Sequence, residues 1–223
     1  SVSAFLLNRS SDLSLLISLI GQSQQNTMKL YCYSRKDFVN AMKENGWTNG
    51  HIPDNVAIIS ICCTKAVREN YHSAHYQGQH DEHYFYDAPN VLNLDFDDID
   101  EEVRNCGDYT AYNINKRQVI RACEFIDKHI NCDFYIHCNA GMSRSQAFVK
   151  YIQDCYPDKE WETRKENPCR FPNMYTCNAL KRWMWCSSKN GIQINEAFDN
   201  VLCPAPLGVS NIDDVTIKGG RGY

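Results

Sequence analysis

The sequence predicts a three-layer α/β domain with a central, mainly parallel sheet. Three observations carry that reading. Apolar runs rich in β-branched residues alternate with amphipathic helical stretches along the chain, as strand–helix–strand units do. One run, "VAIISICC", is apolar throughout, which suits a strand buried on both faces. Hydrophobic residues make up 43% of 223, enough for one core of ordinary size.

The elements follow in order. "MKLYCY" (28–33) is a short strand, and Ser34 can cap the helix "RKDFVNAMKEN", which Gly46 ends. "VAIISICC" (56–63) is the next strand. Residues 64–90 are polar, aromatic and rich in histidine, and read as a long connection. "NVLNLDF" (90–96) is a strand. Asn115 can cap "KRQVIRACEFIDKHI", where Val119, Ile120, Cys123, Ile126 and Ile130 fall at helical spacing. "DFYIHC" (133–138) is a strand, "SRSQAFVKYIQDCY" a helix that stops before Pro157, and "NMYTCNALKRWMWCSS" a helix after Pro172. Trp183 and Trp185 are expected to pack in the core. Residues 28–200 are taken as one domain and 201–223, with "KGGRGY", as a loosely ordered tail. Residues 1–27 are set apart as an extension, non-native or disordered. Their "LSLLISLIG" is too short to span a bilayer, and no basic stretch precedes it as in a signal peptide.

The net charge of −4 offers no global field for nucleic acid or anionic membrane. The twelve cysteines form no CxxC pair and no regular framework, so they read as reduced thiols of a cytoplasmic protein, expected to be a monomer. His72, His75, His80 and His83 cluster in one connection. No cysteine or carboxylate is spaced around them as in a structural zinc site, so neither a metal nor another cofactor is expected.

The chemistry concentrates in "HCNAGMSRS" (137–145). Cys138 stands at the carboxyl end of a strand, where α/β sheets carry their reactive groups. Asn139, Ala140, Gly141, Met142 and Ser143 are small or neutral enough to let backbone N–H groups form an anion cradle, and the helix beginning near Arg144 adds its positive end. Such a cradle binds a phosphate dianion and stabilises a thiolate at Cys138. Arg144 can grip two phosphate oxygens with a planar fork. Ser145 can donate to the thiolate.

This stretch resembles the HCxxGxxRS/T loop of the cysteine-dependent protein tyrosine phosphatases, and "AGMSRS" is most similar to the dual-specificity branch, in its small bacterial and phage form. The resemblance extends over roughly residues 50–185. It implies a cysteinyl-phosphate mechanism in which Cys138 is the nucleophile, Arg144 and the loop hold the phosphate, Ser145 assists and His137 orders the loop through hydrogen bonds. It also implies an aspartate acid on the loop after the preceding strand. "FDD" resembles the corresponding stretch of phosphatases of regenerating liver, which selects Asp98. Asp97, Asp100 and Asp108 are the alternatives, Asp108 because it lies nearer the usual family spacing from the cysteine. Asp95 alternates within its strand and fits least. The strand ending in Cys62 and Cys63 resembles one whose terminal cysteine can pair with the nucleophile, and by that alignment Cys62 is the redox partner.

None of the variable loop residues is basic, which disfavours polyphosphorylated head groups. The expected substrate is a phosphoprotein carrying phosphotyrosine, with phosphoserine and phosphothreonine admitted by a shallow pocket. The other readings are a module that holds a phosphoprotein without turnover, and a phosphatase of a non-protein phosphomonoester.

Overall fold

The computed structural model describes residues 28–70, 82–165 and 171–188. Five parallel strands form the central sheet: β1 (Met28–Tyr33), β2 (Val56–Cys62), β3 (Val91–Asp95), β6 (Asp133–His137) and β7 (Trp161–Lys165), in the order β3-β2-β6-β1-β7. A hairpin of β4 (Val103–Asn105) and β5 (Thr110–Tyr112) stands apart from it. The helices are α1 (Arg35–Glu44), α2 (Lys65–Asn70), α3 (Lys116–Lys128), α4 (Arg144–Cys155) and α5 (Met174–Ser188).

Alternation along the strands divides the core in two. Ala57, Ile59 and Ile61 of β2, with Phe134 and Ile136 of β6, face α3, α4 and α5. Val56 and Ile58, with Tyr135, face Phe38 and Met42 of α1. The expected three layers are therefore present, with β2 buried along its whole length.

Helix starts agree with the sequence signals. The Ser34 side chain accepts the Asp37 N–H at 3.2 Å. Asn115 and Gln118 form a reciprocal capping box on α3. The hairpin, α2 and β7 were not foreseen. The hairpin occupies the 101–113 stretch, and α2 lies within the expected connection. Trp183 packs against the main core as expected. The Trp185 side chain, the 1–27 extension, the 201–223 tail and His72, His75 and His80 lie outside the described residues. Among the described residues no helix is long and apolar enough to cross a membrane.

Candidate functional site

β6 is inserted between β1 and β2, so the loop after it emerges flanked by the carboxyl ends of both. Residues 138–143 form that loop, and α4 begins at Arg144.

The loop is held from outside by its carbonyls. Arg35 N–H donates to Asn139 O at 2.9 Å, Phe171 N–H to Met142 O at 3.2 Å and Asn173 N–H to Ser143 O at 3.2 Å. The Gln146 side-chain amide donates to Gly141 O at 3.0 Å. In a trans peptide the carbonyl and the next N–H point opposite ways. With the carbonyls at 139, 141, 142 and 143 tied to these anchors, the N–H groups of Ala140, Met142, Ser143 and Arg144 point away from them. A run of N–H groups turned to one side can form an anion-binding concavity.

Gly141 makes this loop possible. Its φ is +68°, and a Cβ there would lie 2.6 Å from backbone atoms of Tyr33 and Ser34. Nothing larger fits beneath the loop where it crosses the β1–α1 turn.

Cys138 lies buried at the loop's start, its Sγ 3.2 Å from Ser145 Oγ. Arg144 is buried in the first turn of α4 and donates from its guanidinium to Phe96 O at 2.7 Å. No side chain caps α4, because Ser143, at its N-cap, donates to Asp98 Oδ1 at 2.7 Å instead. The start of α4 therefore faces the loop without the usual side-chain acceptor.

The four aspartate candidates separate clearly. Asp98 is exposed and tied to the loop through Ser143, and its Oδ1 also accepts the Asn173 amide at 2.9 Å. Asp97 is buried, with both oxygens engaged: Thr64 N–H and hydroxyl at 2.8 Å, and Tyr112 N–H at 2.8 Å. It is a structural clasp between α2's start and the hairpin, and has no free oxygen for a reaction at the loop. Asp100 is paired with Arg104 at the surface. Asp108 is exposed in the β4–β5 turn. Asp95 lies 3.3 Å from His83 Nε2 and 3.9 Å from the Arg68 guanidinium. Burial acts to raise its carboxyl, but the contacts with His83 and Arg68 outweigh it and hold it below the ordinary value.

His137 is fully buried on the α1 face of the sheet, its ring 4.2 Å from that of Phe38. Burial first, then Arg35 and His83, push its imidazole well below the usual range, so it is neutral. Neither ring nitrogen makes a hydrogen bond of full geometry among the described residues. His137 meets the loop through a backbone contact with Cys138 and packs on Phe38.

The cysteine expectation also changes. Cys62 has the parity of Ile58, so it lies on the α1 face, its Sγ 3.5 Å from His83 Nδ1. Cys138 belongs to the opposite face with Ile61. Cys62 and Cys138 thus leave the carboxyl ends of β2 and β6 on opposite faces. Sequence reasoning missed Cys32, which shares the face of Cys138. Cys32 Sγ lies 3.3 Å from Ser145 Oγ and Cys138 Sγ lies 3.2 Å from the same atom, so the two sulfurs are at most 6.5 Å apart, the sum of these distances. Burial raises the thiols of Cys123, to about 12, and of Cys132, Cys155 and Cys177. Peroxide is expected to convert Cys138 to a sulfenic acid, and the Cys32 thiol to displace water from it as a disulfide. Recovery of activity with thiol reductant should then fall in Cys32→Ser and stay at wild-type level in Cys62→Ser. Equal recovery in wild type and Cys32→Ser removes Cys32 from this role.

Asn173 was also missed. Its amide bridges Asp98 and Ile99 O, its carbonyl oxygen accepts Thr176 N–H at 2.9 Å, and its backbone holds Ser143. It thus joins the Asp98 segment, loop 138–143 and α5. No protein-family model matches the chain, and no curated protein or solved structure matches it either.

Proposed function

We propose that the protein is a phosphomonoesterase that hydrolyses phosphotyrosine, and phosphoserine and phosphothreonine, on proteins through a cysteinyl-phosphate. The supporting observation is the outward anchoring of four loop carbonyls around a buried Cys138, which builds a cradle for a tetrahedral dianion beside a nucleophile. A module for binding alone has no need of that sulfur. The resemblance of "HCNAGMSRS" to the phosphatase loop points the same way.

The roles follow from the chemistry. The loop N–H groups and Arg144 hold the three non-bridging oxygens, and the Cys138 thiolate displaces the substrate oxygen in line. Asp98 protonates that leaving oxygen. A water then attacks the phosphocysteine, Asp98 takes its proton, and the Ser145 hydroxyl donates to the departing thiolate. Neutral side chains at Asn139, Ala140, Met142 and Ser143 suit a single phosphate rather than a polyphosphorylated head group.

Phosphate release from phosphotyrosyl and phosphoseryl peptides tests the reading. Phosphate binding by the wild type without turnover would replace the enzyme by a binding module. Asp98→Asn is expected to lower kcat roughly 10²–10⁴-fold on alkyl phosphates, and much less on activated aryl phosphates that leave unaided. The same loss in Asp97→Asn with Asp98→Asn unimpaired would move the acid to Asp97.

A further inference from the structure

Outside loop 138–143, one cluster brings together three kinds of metal-ligating side chain. β2 and β3 run in parallel register with Cys62 opposite Asp95, which turns both side chains to one face. His83 reaches that face from the segment before β3. One ligand atom from each of Cys62, His83 and Asp95 lies within 4.8 Å of the other two. The imidazole stands between its neighbours. Its Nδ1 is 2.7 Å from Ser60 Oγ and 3.5 Å from Cys62 Sγ, and its Nε2 is 3.3 Å from Asp95 Oδ1. That Nε2 is buried and makes no hydrogen bond of full geometry.

We propose that Cys62, His83 and Asp95 form a binding site for a divalent cation of the zinc type. The donor set decides the class. A thiolate, an imidazole and a carboxylate are ligands zinc takes together, whereas Ca²⁺ and Mg²⁺ require oxygen alone. Bond lengths of about 2.0–2.3 Å in a tetrahedron set ligand atoms about 3.3–3.8 Å apart. The three ligand atoms lie within 4.8 Å of one another, so an ion would draw the side chains inward from strands whose register already sets Cys62 beside Asp95. Charge also balances: a dication meets one thiolate and one carboxylate in a place where Cys62 is fully buried.

The surroundings supply the outer support such sites use. Ser60 Oγ can accept the Nδ1 proton, which fixes the tautomer and leaves the Nε2 lone pair for the ion. Arg68 approaches the same carboxylate at 3.9 Å. Three protein ligands leave a fourth position for water. The sequence expectation of no metal failed to see this set because Cys62 and Asp95 meet His83 only through strand pairing. The site lies on the opposite face of the sheet from Cys138 and does not depend on the proposed hydrolysis.

Cobalt titration of the full chain, after treatment with a chelator, tests the proposal. The expected result is one equivalent of Co²⁺ per chain with a thiolate-to-cobalt charge-transfer absorption, displaced by Zn²⁺. Cys62→Ser and His83→Gln should lose the band, and Cys138→Ser should keep it. Ser60→Ala should retain the band with affinity weakened about 10–100-fold, as loss of an outer partner does. If Cys62→Ser fails to fold, His83→Gln and Ser60→Ala, with far-ultraviolet circular dichroism as the control, decide the matter. Absence of the band, its survival in His83→Gln, its dependence on Cys138, or cobalt bound with no thiolate absorption would each overturn the site.

Discussion

Cys138→Ser is expected to abolish phosphatase turnover while preserving phosphate binding. Removing an enzyme's nucleophile costs roughly 10⁴–10⁶-fold in kcat, because a serine hydroxyl at this place has no base to activate it. Ser145, 3.2 Å from the sulfur, is a hydroxyl and cannot serve as that base. Binding should survive because the cradle is backbone. Its carbonyls are tied to Arg35, Gln146, Phe171 and Asn173, and none of those ties involves the Cys138 side chain. The measurements are kcat on para-nitrophenyl phosphate and the rise in Tm produced by inorganic phosphate. Residual turnover above about a hundredth of wild type removes Cys138 from the nucleophile's role. Loss of the phosphate-induced Tm shift, with the fold intact, shows that the sulfur and not the loop backbone carries binding.

The parts of the fold legible in the sequence were those with strong periodicity. The helical spacing of Val119, Cys123 and Ile126 marked α3, and the run "VAIISICC", short and rich in β-branched residues, marked a strand buried on both faces. β7 escaped because "WETRK" is a polar edge strand that pairs on one side only, and edges are kept charged to prevent association. The hairpin escaped because three-residue strands carry too few alternations to register.

At the site, legibility followed sequence distance. Loop 138–143 is contiguous, so its small residues and its arginine could be read directly. Asn173 stands 75 residues from Asp98, and nothing in a Pro–Asn helix start announces that its amide will hold an aspartate. The choice among adjacent aspartates is a matter of which way each side chain turns at the end of β3: Asp97 inward to Thr64 and Tyr112, Asp98 outward to Ser143. The cysteines show the same limit. Parity along β2 is plain in the sequence, but which parity faces Cys138 depends on how the neighbouring strands are ordered, and the loop that connects them does not encode it.

Arg144→Lys is expected to fail despite keeping its charge. Arg144 is buried, and one arm of its guanidinium donates to Phe96 O at 2.7 Å. Phe96 immediately precedes Asp97 and Asp98, so this bond joins loop 138–143 to the segment that carries the proposed acid. A planar fork can keep that bond and still present N–H groups to two phosphate oxygens. A single ammonium cannot do both, and burying it costs more because it is the more strongly hydrated cation. Loss of one such clamp on developing charge lowers kcat by roughly 10²–10³-fold. The Phe96 tie adds a second signature. With it gone, Asp98 is less well placed, so the lysine variant should lose more on alkyl phosphates than on activated aryl phosphates. A loss equal on both substrate classes confines Arg144 to phosphate binding and leaves the acid segment independent of it. Near-normal kcat on both refutes the clamp altogether.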